Sequence, residues 1–134
     1  MKDKIDILVV EDNIGSILLI KEVFKHINVE TNIVFDRSIE QAVRSIENKV
    51  IKVDLVLLDL NFPKGNGWSL LEDCLHKKQN KDFLVLILTT SISVEDKFRA
   101  TEFDNVIGFY SKPITSRKIT EILEIYERER DKVS

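Results

Sequence analysis

Cysteine is nearly absent. Cys74 stands alone in 134 residues, which excludes an internal disulfide and a thiolate metal cage and points to a reducing cytoplasm. Proline and glycine are sparse, two and four, and no Pro/Gly-rich linker, internal repeat or low-complexity tract divides the chain. The longest apolar run, Phe83-Leu84-Val85-Leu86-Ile87-Leu88, is too short to span a bilayer. Acids at Asp3 and Asp6 break the N-terminal stretch, so no signal peptide is expected. Neither sign of charge dominates. Twenty Lys plus Arg against 23 Asp plus Glu give a net charge of -3, so no bulk basic field draws the chain to nucleic acid or to an anionic membrane.

What is present suits one globular domain: 43% apolar and 32% charged residues, enough for a packed core and a solvated surface. The length leaves little room for a second domain.

Apolar periodicity switches between short continuous runs and helical spacing. The strand-like runs are Ile7–Val10, Asn32–Phe35, Leu55–Leu58, Leu84–Leu88 and Val106–Phe109. Four are apolar on successive residues, as parallel strands covered on both faces must be. The run at Asn32 is the weakest and is assigned to an edge. Between the runs, Ile17, Leu18, Phe24 and Ile27 are placed on one helix face, and Ile39, Ala42, Val43 and Ile46 on another. Ser38 with Gln41 and Ser93 with Asp96 have capping-box spacing. A final stripe of Ile119, Ile122, Leu123 and Tyr126 runs into the charged stretch Glu127–Lys132, expected to be a solvated, fraying end. Lys77 to Asp82 reads as an exposed loop. Five repeats of β then α imply right-handed crossovers and a flavodoxin-like (βα)5, doubly wound, five-stranded parallel sheet in the order 2-1-3-4-5.

In such sheets, ligands bind beyond the carboxyl ends of the strands. There the sequence carries Glu11-Asp12, then Asp59 followed by Asn61, then Thr89-Thr90-Ser91, then Lys112-Pro113. With that strand order the first and fourth strands flank the third at about 4.8 Å, and the fifth lies about 10 Å away. Asp59 is thus central, and only a long side chain such as Lys112 reaches it from the fifth strand. Three converging carboxylates repel each other by about 4 kcal/mol per pair at 4 Å and an effective dielectric near 20. Such a cluster needs a cation. With oxygen ligands only, Mg²⁺ is the best match, because it keeps waters and takes a substrate phosphate. A metal, an ammonium and a hydroxyl around one carboxylate can orient and neutralise a transferring phosphoryl group, with the carboxylate as nucleophile.

Ile7-Leu8-Val9-Val10-Glu11-Asp12-Asn13, Asp59-Leu60-Asn61-Phe62-Pro63-Lys64-Gly65-Asn66-Gly67, Leu88-Thr89-Thr90-Ser91 and Ser111-Lys112-Pro113 together resemble the receiver domain of bacterial two-component response regulators. The similarity covers essentially the whole chain. Asp-Leu-Asn-x-Pro with Leu-Thr-Thr-Ser is further similar to stand-alone receivers akin to the cyanobacterial phytochrome response regulator. The resemblance implies one receiver domain over residues 1–134, with no output domain. It also implies a cytoplasmic phosphoacceptor protein rather than an enzyme, one that supports its own phosphorylation and dephosphorylation.

By this resemblance Asp59 accepts a phosphoryl group from a phosphohistidine on a sensor histidine kinase or a histidine phosphotransfer protein. Asp12 and Asp59 bind Mg²⁺ directly, Glu11 acts through water, and Asn61 offers its backbone carbonyl. Lys112 pairs with the phosphoryl oxygens and Thr89 moves to hydrogen-bond them, while a cis Lys112-Pro113 bond aims the lysine inward. Asn61 and Ser91 are placed to tune attack by water. Two residues depart from the common pattern: Thr90, where a small residue is frequent, narrows access to Asp59, and Phe109 replaces a frequent tyrosine and lacks its hydroxyl. Tyr110 is expected to face the other way.

The downstream partner is then a protein, with no direct nucleic-acid or membrane contact and a homodimer left open. Simpler readings exist for each motif alone. An acidic pair after a strand can merely favour a helix dipole, Pro63 and Gly67 suit loop chemistry, and His26, His76, Cys74 and Trp68 fit surface or packing positions. The main competing function is a receiver-like interaction module that operates without phosphorylation. A flavin-binding domain of the same fold would have phosphate repelled by Glu11-Asp12, and a haloacid-dehalogenase-type phosphatase wants an acid where Asn61 stands.

Overall fold

Strands apolar on successive residues need cover on both faces, and the computed structural model shows that cover. It describes residues 4–48, 51–62, 66–75, 83–90 and 92–133. In chain order the elements are β1 (Ile5–Val10), α1 (Ile14–Lys25), β2 (Thr31–Asp36), α2 (Ile39–Glu47), β3 (Leu55–Asp59), α3 (Gly67–Leu75), β4 (Leu84–Thr89), α4 (Val94–Ala100), β5 (Val106–Ser111) and α5 (Ser116–Val133). The strands are all parallel in the order β2-β1-β3-β4-β5. This is the flavodoxin-like (βα)5 sheet expected from the sequence.

Every residue of β3 and β4 is buried. Successive side chains alternate between two cores. Ile7, Val9, Leu55, Leu57, Leu86 and Leu88 pack under α1 and α5, whereas Leu8, Val10, Val56, Leu58, Val85 and Ile87 pack under α2 and α3. The edge strand β2 alternates in burial, with Val34 39% exposed. The other edge, β5, is half-buried from Val106 to Tyr110. A bulge at Ile107 shifts its register between Val85 and Leu86. Val106 and Phe109 therefore share one face, while Ile107 and Tyr110 share the other. Phe109 and Tyr110 face opposite ways, as strand alternation requires.

All five helices open on side-chain caps, α3 on Asn66, which accepts from Ser69 N–H at 3.3 Å, and α5 on Thr115, which accepts from Lys118 N–H at 3.1 Å. Asn13 accepts from Ser16 N–H at 2.9 Å, Ser38 from Gln41 N–H at 3.0 Å and Ser93 from Asp96 N–H at 3.0 Å. The return half of both expected capping boxes goes elsewhere: Gln41 Oε1 accepts from Arg37 N–H at 3.4 Å, and the Asp96 carboxylate accepts from the Trp68 indole at 3.2 Å.

Two expectations are corrected. Leu18 is 60% exposed, and the inward stripe of α1 is Ile17, Ile20, Val23 and Phe24. At about 100° per residue, Phe24, Ile20 and Val23 lie about 20°, 60° and 120° to one side of Ile17, whereas Leu18 lies about 100° to the other, away from the stripe. The run Glu127–Lys132 does not fray. It continues α5 to Val133, where the Arg130 guanidinium lies 6.0 Å from the Tyr126 ring centroid and 3.6 Å from the Glu127 carboxylate. Cys74 is buried on α3, and His26 is an exposed partner of Glu22 at 3.1 Å. His76 and the expected loop from Lys77 to Asp82 lie outside the described residues. No helix among the described residues is long and apolar enough to cross a membrane.

Leu57 is fully buried at the centre of the sheet, so Leu57→Ala should cost about 2–5 kcal/mol. Removing the cap by Ser38→Ala should cost only about 1 kcal/mol. Urea denaturation of both variants checks the ordering, and a larger loss for Ser38→Ala would contradict it.

Candidate functional site

The ladder register brings four strand ends to one level. Val10 pairs with Leu58 and Asp59 with Leu88, so Glu11, Asp59 and Thr89 emerge side by side at the carboxyl edge. The ladders run one residue further at both flanks: Glu11 N–H donates to the Asp36 carbonyl at 3.1 Å, and Lys112 N–H to the Thr89 carbonyl at 2.9 Å. Each backbone is thereby fixed where its side chain leaves the sheet.

Gly67 sets the other wall. A Cβ there would lie 2.8 Å from the Asp59 carbonyl oxygen and 3.0 Å from Leu60 Cα. The glycine lets the start of α3 press against the end of β3, and Gly67 N–H donates to the Leu60 carbonyl at 3.1 Å. Asn61 and Asn66 form an antiparallel bridge beside this contact.

Glu11 is 1% exposed and Asp59 6%. The Lys112 ammonium lies between them, hydrogen-bonded to Glu11 Oε1 and, at 2.8 Å, to Asp59 Oδ2. Asn61 N–H donates to Asp59 Oδ1 at 3.0 Å, and Asn13 N–H to Glu11 Oε2 at 3.3 Å. Burial pushes the Glu11 carboxyl above its ordinary pKa, the Lys112 hydrogen bond partly offsets this, and nearby Asp59 adds to the rise. Burial presses Lys112 downward, but its hydrogen bonds to Asp59 and Glu11 and their charges outweigh it, so its pKa is raised. The lysine thus stays charged, as two buried carboxylates require.

One carboxylate oxygen each from Glu11, Asp12 and Asp59 lie within 4.8 Å of one another. Ligands of a six-coordinate Mg²⁺ at about 2.1 Å stand at most about 4.2 Å apart. Adjacent ligands of such an ion stand about 3.0 Å apart, so the three oxygens would draw together on binding; an all-oxygen donor set of this kind suits a small hard dication that keeps several waters.

Thr89 is buried and its Oγ1 accepts from the Asn61 side-chain amide at 3.2 Å. The same amide reaches exposed Thr90 Oγ1 at 3.4 Å. Phe109 is half-buried against the core under α2 and α3. The Lys112-Pro113 bond is cis. A groove of about 410 Å³ between the start of α1 and the Lys112-Pro113 turn is lined by Asn13, Gly15, Thr90, Lys112 and Pro113, among others. Ser91, Pro63 and Gly65 lie outside the described residues.

Sequence reasoning missed several supports. Asn13 both caps α1 and donates to Glu11, a double use that its place before a helix only half announces. Arg37 donates to the Asp12 carbonyl at 3.2 Å from 25 residues away; no local signal marks it. Trp68, just after Gly67, joins α3 to α4 through Asp96, stacks on Phe103 at 6.0 Å, and lies under the Arg99 guanidinium at 5.1 Å.

The family description "Response regulator receiver domain" matches residues 7–124, and the chain belongs to that family. No curated protein matches it. Among solved structures, a two-component response regulator from Legionella pneumophila is 27% identical with a TM-score of 0.82, covering 92% of this chain and 98% of that one. The phosphorylated cyanobacterial phytochrome response regulator RcpA is 27% identical at a TM-score of 0.74, covering 94% and 91%. The Mn²⁺-bound form of the response regulator Rcp1 is 25% identical at 0.74, covering 89% and 88%.

Two substitutions probe this geometry. Gly67→Ala forces a methyl against backbone atoms and should cost about 1–3 kcal/mol, read by urea denaturation; an unchanged midpoint would mean that the two backbones part freely. Lys112→Ala leaves Glu11 and Asp59 buried without their cation. In metal-free buffer it should cost about 3–5 kcal/mol, against less than 1 kcal/mol for removing the exposed partner in Glu40→Ala.

Proposed function

We propose that this receiver domain is a phosphorylation-controlled switch whose phosphoacceptor is Asp59 and whose output is protein-protein interaction. The observation that carries the reading is the Lys112 ammonium held between buried Asp59 and Glu11, with Asp12 within metal-binding reach.

Asp59 has both carboxylate oxygens oriented, Oδ2 by Lys112 and Oδ1 by Asn61 N–H. One of them forms the new O–P bond as the N–P bond of a phosphohistidine breaks and its electron pair returns to the imidazole. The donor is a sensor histidine kinase or a histidine phosphotransfer protein. Asp12 and Asp59, with Glu11 through water and the Asn61 carbonyl, would hold a Mg²⁺ ion, which would supply charge neutralisation for the phosphoryl oxygens. The Mn²⁺-bound state of Rcp1 supports a divalent ion here, and the phosphorylated state of RcpA supports phosphoryl transfer.

Once phosphorylated, Asp59 carries nearly two negative charges. Lys112 turns from Glu11 toward the phosphoryl oxygens, and the Thr89 hydroxyl leaves the Asn61 amide to donate to them. Thr89 movement frees space beside Phe109, which shifts the β5 edge. Asn61, Thr90 and Ser91 set how easily water reaches the phosphoryl group, and hence its lifetime. The partner reads the altered surface, and the small net charge of -3 fits a protein target better than nucleic acid.

Acetyl phosphate with Mg²⁺ should add one phosphoryl group, seen by intact-protein mass. The addition should vanish in Asp59→Asn and on chelation of the metal. No added phosphoryl group on the native chain, or an equal amount on Asp59→Asn, would leave the interaction module that works without phosphorylation as the better reading.

A further inference from the structure

The half-buried Lys118 spends its ammonium on the backbone that carries Lys112. Its Nζ donates to the Ser111 carbonyl at 2.7 Å and to the Pro113 carbonyl at 2.9 Å, with a longer contact to Ser111 Oγ at 3.4 Å. The two carbonyls stand on either side of the Lys112-Pro113 pair. Electrostatics alone would not put a lysine there. The first turn of α5 holds Arg117 and Lys118 and no acid, although a helix N-terminus disfavours cations. What offsets that placement lies outside the helix. Helical side chains lean toward the N-terminus, so one at the third position reaches back over the turn that precedes it. Its root is fixed as well: Lys118 N–H donates to Thr115 Oγ1 at 3.1 Å, and the next residue, Ile119, is fully buried.

One peptide group is thereby held from both sides. The Ser111 carbonyl and the Lys112 N–H share a single plane; the N–H donates to the Thr89 carbonyl of β4 at 2.9 Å, and the carbonyl accepts from Lys118 on α5. The bond to the Pro113 carbonyl fixes the chain just past Lys112, and buried Ile114 anchors it in the core under α1 and α5. The backbone from which the Lys112 side chain leaves is therefore pinned before and after it. That side chain reaches two strands inward to the buried carboxylates of Glu11 and Asp59. A shift at its root is carried to its tip, and a misplacement of about 1 Å can slow a reaction by about a hundredfold.

We propose that Lys118 is a positioning residue for phosphoryl transfer: by clasping the Ser111 and Pro113 carbonyls it holds the turn so that the Lys112 ammonium meets the phosphoryl oxygens at Asp59. The proposal rests on Asp59 being the phosphoacceptor. Among the described residues Lys118 has no bond to Glu11, Asp12 or Asp59, so its effect passes through Lys112.

Timed uptake of a phosphoryl group from acetyl phosphate, read by intact-protein mass over a series of Mg²⁺ concentrations, tests it. Lys118→Met keeps the apolar stem and removes the three donors. It should lower the maximal rate about tenfold, while the half-saturating Mg²⁺ concentration stays the same or falls, because a Lys112 held less firmly competes less for Asp59. Lys118→Arg, which still offers several N–H donors, should recover most of the rate. In metal-free buffer the Lys112 amide hydrogen should exchange about tenfold faster in Lys118→Met, since its peptide loses one of two anchors. Circular dichroism checks that each variant is folded, and Lys118→Gln, too short to span both carbonyls, is a second version of the loss. An unchanged rate or unchanged Lys112 exchange in the folded Met or Gln variant, a rate loss matched by an equal rise in the Mg²⁺ requirement, or no recovery in Lys118→Arg would overturn the proposal and leave Lys118 as a support of the helix end only. A native chain that takes up no phosphoryl group would overturn the phosphoacceptor reading itself, and this one with it.

Discussion

Two carboxylates stand almost wholly out of water at the edge of the sheet, and only a cation between them makes that tenable. The effective cost of taking one such ion out of water is several kcal/mol even after relaxation, and two at close range add their mutual repulsion. Lys112 meets both demands, with one ammonium hydrogen-bonded to Glu11 Oε1 and Asp59 Oδ2. Burial drives Glu11 toward protonation and Lys112 partly offsets that rise, while the two carboxylates hold Lys112 charged. The site is poised, because any change in charge at Asp59 must redistribute the one ammonium that balances it.

That balance depends on the sheet. Lys112 comes from the outer strand and reaches two strands inward, which works only if β4 lies between at a fixed level; the Lys112 N–H to Thr89 carbonyl bond sets that level. Asp59 is fixed from below by a strand with no solvent contact and from the side by Gly67, where no larger residue fits without moving backbone. Burial on both faces thus serves more than stability. It denies the strand ends the slack that would let the carboxylates drift apart into water.

The sheet was legible because its cause is local. Consecutive apolar residues at Leu55–Leu58 or Leu84–Leu88 admit few explanations other than a strand covered twice, and polar groups at the ends of four strands mark the edge where chemistry can lie. What escaped depends on distance or on phase. Leu18 was misplaced because one residue of helical phase separates the core face from solvent, and only the sheet fixes that phase. The charged end of α5 looked like a fraying tail because its support, Arg130 on Tyr126 and Glu127, is pairing between side chains rather than apolar burial. Both capping boxes were half right: the serine caps are local, but the return bond of Asp96 is taken by Trp68, 28 residues away. Arg37 on the Asp12 carbonyl is tertiary in the same way.

The same tertiary bonds define how a disturbance at Asp59 can leave the site. The Asn61 amide ties the segment just past β3 to Thr89 on β4, and the start of α3 presses on the Asp59 carbonyl through Gly67 and passes at once to Trp68. Trp68 is clasped by Asp96, Arg99 and Phe103, the first two of them on α4. A hydroxyl that turns can release the first tie with no backbone shift, because Thr89 needs only a new acceptor. The second is a steric contact between backbones and transmits displacement directly. The two converge on the β4–α4 segment from opposite sides, so α4, gripped on its inner face, is tied to the carboxyl edge by both.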